Sequence, residues 1–220
     1  MKFVRVTELA DGVAPLRDRL ARDLSGGKHV LWLVPGGSNI PLTVAVMAQL
    51  PDTLTAGLTI MLTDERYGAV GHPDSNVHQL NEAGFLPKQA VVIPVLRAGL
   101  SLKETCKHYA ADFTDATSRA DTIIGQFGMG SDGHIAGILP GSPAVSSADL
   151  TAGYEAPGFT RITLTPKALS QLVAAYVFVF GDSKHQALDT LQSGALSLEA
   201  QPAQILKQLP EAYIYNDHIG

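Results

Sequence analysis

The sequence predicts an α/β fold: a mostly parallel β-sheet with helices on both faces, in three layers. Two observations carry this. Short apolar runs rich in branched residues alternate with longer amphipathic segments, and strands separated by helices pair in parallel. Four polar, glycine-bearing loops each follow directly on such a run, at 36–39, 63–76, 128–134 and 181–184. In an open parallel sheet those loops share one edge, beyond the carboxyl ends of the strands, where ligands bind.

Each element has its own signal. Lys2 to Val6 reads as a short strand. Val13 to Leu24 places apolar residues at helical spacing, with Arg and Asp alternating on the other face, so a surface helix is expected. His29 to Val34 (HVLWLV) is a buried strand that stops at Pro35-Gly36-Gly37-Ser38-Asn39. Pro41 fits the first turn of a helix to Leu50. Leu58 to Leu62 is the next strand, followed by a polar loop from Thr63 to Asn76 and a short helix. Val91 to Val95 is a weaker strand. Ser101 and Glu104 form a capping box for a helix to about Ala116. Thr122 to Phe127 is again a strand.

After the central turn, Tyr154 to Thr160 reads as a loop with Pro and Gly, and Arg161 to Leu164 as a strand. Thr165-Pro166 is a helix start. Ala174 to Phe180 is a strongly apolar strand, and Gly181 to Lys184 leads into a helix ending near Leu191. A short helix at Ala203 to Leu209 and a strand at Ala212 to Tyr215 complete the chain.

The 220 residues, 45% hydrophobic and 17% charged, suit one α/β domain spanning 1–220. A net charge of −5 argues against nucleic acid as a partner. No apolar stretch approaches the ~20 residues that span a bilayer, and MKFVRVTELADG has no apolar signal-peptide core. The lone Cys106 cannot form an intrachain disulfide, so a cytoplasmic setting is expected. A small molecule is the expected partner, for a monomer or small homo-oligomer.

The loops suggest chemistry. Gly36-Gly37-Ser38-Asn39 exposes backbone N–H groups at a helix start, which suits an anion; a plain tight turn accounts equally for that loop taken alone. Arg66 can grip a phosphate or carboxylate bidentately, with Asp64 and Glu65 orienting it or facing a sugar hydroxyl; a surface ion pair is the bland alternative. His72, Asp74 and His78 match no standard metal spacing. Lys184 is a cation at a helix N-terminus, unfavourable for the helix dipole unless an anion binds there.

The central stretch, FGMGSDGHIAGILPGSP at 127–143, is the focus. Gly128 to Gly133 matches GxGxxG, with Asp149 about 20 residues on. Pro140, Gly141 and Pro143 would break the helix a dinucleotide site needs, so that reading ranks below a catalytic His134. An imidazole can accept a proton at neutral pH, and Asp132 can hold its tautomer. No nucleophile-elbow serine is present, which favours an activated water. A histidine that merely satisfies a turn remains the structural alternative.

Five blocks in order resemble the bacterial 6-phosphogluconolactonases, within the wider glucosamine-6-phosphate deaminase/isomerase-like superfamily. PGGSNIP at 35–41 is similar to the family's GGSTP loop. Asp64-Glu65-Arg66 with His72-Pro73-Asp74-Ser75-Asn76 resembles its DER and HPDSN blocks. GMGSDGHIAGILPG at 128–141 resembles GMGxDGHTASLFPG, and RITLT at 161–165 and GDSK at 181–184 complete the set. Asn39 stands at a family Thr, Ile40 is an extra residue, Gly68-Ala69 replaces Val-Pro, Val77 replaces an aromatic, and Ile135 replaces Thr.

The resemblance implies a glucosamine-6-phosphate deaminase/ribose-5-phosphate isomerase-like fold. It also implies hydrolysis of 6-phosphoglucono-δ-lactone to 6-phosphogluconate in the pentose phosphate pathway, with no metal or organic cofactor. By position, Gly37, Ser38, Asn39, Arg66 and Lys184 would bind the phosphate; Gly36, Asp64 and Gly130 complete the substrate-binding set. His134 would activate water, supported by Asp132. Two rivals remain. An amino-sugar phosphate deaminase would add a Glu soon after the DGHIA stretch, where this chain has Gly137-Ile138-Leu139-Pro140. A non-catalytic sugar-phosphate sensor would usually carry a DNA-binding segment, and no basic helix-turn-helix stretch is present.

Overall fold

The computed structural model describes residues 1–220. Its main sheet has seven parallel strands in the order β1-β10-β9-β6-β2-β3-β5. These are β1 (Lys2–Arg5), β2 (Val30–Val34), β3 (Leu58–Leu62), β5 (Val91–Ile93), β6 (Thr122–Phe127), β9 (Ala174–Val179) and β10 (Glu211–Asn216). The central strands β2, β6 and β9 are buried along their whole length, which is why they read as continuous apolar runs rather than alternating ones.

Six helices connect the strands: α1 (Val13–Ser25), α2 (Ile40–Gln49), α3 (Asn76–Glu82), α4 (Leu102–Arg119), α5 (Pro166–Leu169) and α6 (His185–Ser193). The steps β1 to β2, β2 to β3 and β3 to β5 run one way along the sheet; β5 to β6, β6 to β9 and β9 to β10 run the other. Right-handed crossovers then put α1, α2 and α3 on one face and α4, α5 and α6 on the other. The packing of α2 against both α1 and α3 agrees. Since β2 leaves one way and β6 the other, the crevice between their carboxyl ends is a topological switch point. No helix is long and apolar enough to cross a membrane.

Four expectations need correction. The supposed loop 63–76 contains β4 (Asp64–Arg66), and the supposed loop 154–160 is a hairpin of β7 (Thr151–Ala156) and β8 (Phe159–Leu164). These form a second, antiparallel sheet in the order β4-β8-β7. The hairpin turns at Pro157-Gly158, where Pro presets one φ and Gly158 takes φ 85°; Pro and Gly mark a turn between strands there, not a loop in place of them. The polar face of α1 is not all surface. Arg19 and Asp23 are buried and paired at 2.8 Å, and Arg19 also reaches Glu211 at 2.8 Å. The segment near 203–209 is a 3₁₀ helix, Pro202–Gln208, not an α-helix. The capping box at Ser101 and Glu104 is present, and its helix runs on to Arg119.

Candidate active site

The carboxyl ends of β2, β6 and β9 meet β4 and β8 around a cleft of about 400 Å³. Only two of its sixteen lining residues are hydrophobic. Small-molecule pockets are usually mostly apolar, so this one suits a small, highly polar ligand. Arg66, Arg161 and Lys184 line it against a single acid, Asp64. The cleft is therefore cationic in a chain whose net charge is −5, a local field that selects anions. Of the ten site residues expected from sequence, nine line this cleft: Gly36, Gly37, Ser38, Asn39, Asp64, Arg66, Gly130, His134 and Lys184. The tenth, Asp132, stands behind His134 and touches its ring.

Beyond β2 the chain makes a 3₁₀ turn, Gly37–Asn39, that runs straight into α2. The backbone N–H groups of Gly36, Gly37 and Ser38 have no partner among the loop, turn and cap hydrogen bonds. They are the free donors of a helix start. The Asn39 side chain does a different job from the one expected. It is buried, and its Nδ2 donates to the Phe178 carbonyl at 3.3 Å. The Asn39 backbone carbonyl accepts from Thr43 Oγ1 and Gln126 Nε2. Asn39 thus ties α2 to β6 and β9, with one of its two amide N–H donors committed to Phe178.

The small sheet supplies the guanidinium groups. Asp64 pairs with Thr163, Glu65 with Ile162 and Arg66 with Arg161. Side chains alternate along a strand, so Asp64, Arg66, Arg161 and Thr163 share the cleft face while Glu65 and Ile162 point away. Glu65 is accordingly buried, and it caps α3, accepting from Asn76 N at 2.6 Å, Val77 N at 3.1 Å and Ser75 Oγ at 2.9 Å. Burial pushes its carboxyl above the usual range, against those hydrogen bonds. It accepts the Arg66 backbone N–H at 2.7 Å but does not meet the guanidinium, and it does not line the cleft, contrary to expectation. Arg66 lies over the Phe159 ring at 5.0 Å and donates to the Asp74 carbonyl at 2.7 Å. His72 Nε2 meets the Arg66 carbonyl at 2.9 Å, so loop 72–74 braces this arginine.

Two arginines directly opposite on neighbouring strands repel. Arg161 is offset only by Asp64, at 4.0 Å. The Nε atoms of both arginines are buried with no protein partner. An anion between them would relieve both deficits. Lys184, at the N-terminus of α6, donates its backbone N–H to the Gly181 carbonyl at 2.9 Å, but its ammonium has no hydrogen bond or ion pair to the protein. Burial lowers its pKa from the ordinary lysine value, partly countered by Asp217.

The turn after β6 carries the pair anticipated from sequence. His134 Nδ1 lies 2.7 Å from Asp132 Oδ1, which also accepts the His134 backbone N–H at 3.1 Å. A carboxylate there holds the proton on Nδ1 and leaves Nε2 free to accept one. Gly130 makes the pair possible: a Cβ on it would lie 2.6 Å from Asp132 Oδ1 and closer still to His134 Nδ1. The turn closes by Gly130 N donating to the His134 carbonyl at 3.0 Å. Ala136, at φ 51°, then swings the chain back so that Ile135 and Ile138 are fully buried. No helix follows, and isolated bridges join Ile135 to Met129 and Ile138. The GxGxxG match therefore lacks the helix a dinucleotide site needs, and Asp149 does not line the cleft. Cys106 lies outside it, its thiol pushed up to about 11 by burial.

Seven lining residues were not among the expected set, Arg161, Asn76 and Ala136 among them. The strand period could have found Arg161, had β4 and β8 been recognised as partners. Asn76 donates to the Asp64 carbonyl at 2.9 Å, and its own Oδ1 is buried without a partner against Gly36. Nothing local in the sequence marks that contact.

Residues 7–214 match the family model described as Glucosamine-6-phosphate isomerases/6-phosphogluconolactonase. A 6-phosphogluconolactonase of Xylella fastidiosa is 29% identical over 212 residues, 90% of this chain and 85% of that protein. A glucosamine-6-phosphate deaminase of Streptococcus thermophilus is 25% identical over 231 residues, covering 99% and 97%. The crystal structure of the Thermotoga maritima 6-phosphogluconolactonase superposes with a TM-score of 0.82 at 19% identity, covering 98% of both chains, so the fold is shared. With nearly the whole chain inside that match, the protein belongs to the glucosamine-6-phosphate isomerase/6-phosphogluconolactonase family.

Proposed function

We propose that this protein hydrolyses 6-phosphoglucono-δ-lactone to 6-phosphogluconate in the pentose phosphate pathway, using a water activated by His134. One observation carries the reading: the Asp132–His134 pair and three cations, Arg66, Arg161 and Lys184, serve a single polar cleft. Such a cleft suits a small molecule with a phosphate at one end and an electrophilic carbon at the other. The lactonase relatives support the substrate.

In the proposed mechanism the phosphate binds between Arg66, Arg161, Lys184 and the free N–H groups before α2. His134 Nε2 takes a proton from water as its oxygen bonds to the lactone carbonyl carbon. The imidazolium is stabilised by Asp132. The tetrahedral intermediate collapses, the bond from that carbon to the ring oxygen breaks, and His134 returns the proton to the departing alkoxide. The product acid then ionises. Remote phosphate contacts hold the carbonyl against the base, so binding energy is used for positioning.

The test is lactone consumption, corrected for spontaneous ring opening. His134→Ala should lower kcat about 10²–10⁴-fold and leave binding of 6-phosphogluconate nearly unchanged. Loss of binding in proportion to rate would count against His134 as the base. The deaminase relative makes ammonia release from glucosamine 6-phosphate the discriminating control. A deaminase needs further acid–base groups, and residues 135–139 contain no carboxylate.

A further inference from the structure

The phosphate cations and the base sit on different elements. Lys184 opens α6, while His134 lies on the turn after β6. Between α6 and that turn is a second, shallower cleft of about 250 Å³, bordered by Asp132 on one side and Gln186 and Thr190 on the other. Gln201 crosses its floor. This side chain is almost wholly buried, at 3% exposure. Its Nε2 donates to the Ala187 carbonyl of α6 at 2.8 Å. Its stem lies flat on Gly133, where a Cβ would come within 3.0 Å of Nε2 and closer to Cγ. Gly133 takes φ 79°, a conformation suited to glycine.

The same segment grips the turn through its backbone. Ala203 N donates to the Gly133 carbonyl and Gly141 N to the Glu199 carbonyl, both at 3.0 Å. Gln204 Nε2 donates to Gln201 Oε1 at 2.6 Å, fixing the amide's orientation. Pro202 restricts Gln201 to extended backbone, and its φ of −149° and ψ of 92° comply. The amide is therefore held from three sides, with one end on α6 and its stem on the catalytic turn.

We infer that Gln201 is a positioning residue that sets the distance between the Lys184 end of the cleft and the Asp132–His134 pair. This rests on the functional reading above. Gln201 touches neither substrate nor base; it makes phosphate binding useful to the chemistry at the other end of the ligand. A substrate without a phosphate gains nothing from that spacing.

The test compares two lactones, 6-phosphoglucono-δ-lactone and unphosphorylated glucono-δ-lactone, with wild type, Gln201→Ala and Gln201→Met. Met fills nearly the same volume on Gly133 and removes only the hydrogen bonds, so it covers the case in which Ala fails to fold. A displacement of about 1 Å can cost on the order of 10²-fold. Expected for both variants is a fall of ~10-fold or more in kcat with the phosphorylated lactone, a change below about twofold with the unphosphorylated one, and unaltered inhibition by inorganic phosphate. Equal losses on both lactones would show that Gln201 only supports the fold of the turn, and would overturn the inference alone. No loss on either would overturn it too. A wild-type protein that turns over neither lactone would overturn the functional reading, and this inference with it.

Discussion

Gly130→Ala separates the chemistry of this protein from its stability. Gly130 is not in the left-handed region, so its backbone accepts alanine. What it cannot accept is the added carbon, 2.6 Å from Asp132 Oδ1 and nearer to His134 Nδ1. Something must move, and the two side chains are the soft parts. His134 is 33% exposed and Asp132 49%, so both can rotate into water. The bond from Gly130 N to the His134 carbonyl involves neither and should persist. Alanine also lowers the entropy of the unfolded chain, worth about 0.4–1 kcal/mol. The folded protein should thus melt within about 2–4 °C of wild type. Catalysis should suffer far more. Without the 2.7 Å contact to Asp132, the imidazole loses both tautomer and aim, and general-base catalysis is worth about 10²–10⁴-fold, or about 3–5 kcal/mol in the barrier. The assay is steady-state lactone hydrolysis beside a thermal melt and a phosphate-binding titration. A Gly130→Ala protein with kcat within twofold of wild type would refute the Asp132–His134 pair as the source of the base.

Three further outcomes are expected. Arg161→Met removes one of two facing guanidinium groups, so it should leave the unliganded protein as stable or more so, while raising KM for the phosphorylated lactone at least ~10-fold; a calorimetric melt with and without inorganic phosphate should show a smaller phosphate-induced rise in Tm, and an unchanged rise would remove Arg161 from the phosphate site. Lys184 has its pKa lowered by burial, so its cation is lost as pH rises through a value below the ordinary 10.5; kcat/KM for the phosphorylated lactone should fall on that alkaline limb, and Lys184→Arg should shift the limb upward in a pH–rate profile. Arg19→Met should unfold more readily at neutral pH by about 1–3 kcal/mol, since it leaves buried Asp23 with Lys28 as its one counter-charge. For Asp23, burial pushes the carboxyl up, but hydrogen bonds and charge from Arg19 and Lys28 outweigh it, so its pKa in the fold is depressed below 3.8. Its pairing therefore stabilises above the unfolded pKa and is lost as pH falls through the folded one. Urea titrations from pH 6 down to pH 2 should show the mutant's deficit shrinking, and a constant deficit would contradict the linkage.

The main sheet was legible because its strands are buried on both faces and so stand out as apolar runs, HVLWLV and AAYVFVF above all. The cleft followed from the same logic, since strands in parallel deliver their trailing loops to one edge. The small sheet was obscured by its composition. Asp64-Glu65-Arg66 is as polar as any loop, and its strand character comes from pairing with β8, nearly a hundred residues on. Glu65 was misassigned for the same reason: its hydrogen bonds to α3 depend on a face that only the pairing defines. Asn39 fitted the pattern of an anion-binding loop, yet Gly128 leaves room for its side chain to reach Phe178 instead. In each case a long-range contact overrode a sound local reading.

The division of the site between two sheets has an energetic consequence. Arg66 and Arg161 belong to β4 and β8, whereas His134 and Lys184 hang from β6 and β9. Side-chain bonds join the hairpin to the turn after β6 beside the cleft: Gly137 N to Thr163 Oγ1 at 3.0 Å, Tyr154 Oη to the Gly137 carbonyl at 2.5 Å, and Leu139 N to Tyr154 Oη at 3.3 Å. A phosphate held by Arg161 and Lys184 together would add a link across the same seam, and would relieve the repulsion between the two arginines. Ligand affinity and attachment of the β7–β8 hairpin are then coupled, and by linkage the coupling is reciprocal. Tyr154→Phe removes the hydroxyl that ties hairpin to turn without touching any cleft-lining group. Its effect should fall on both quantities together, with weaker phosphate binding accompanied by faster amide exchange along β7 and β8, and with phosphate restoring the protection. Weakened binding with no change in hairpin exchange would mean that the two sheets respond to the ligand independently.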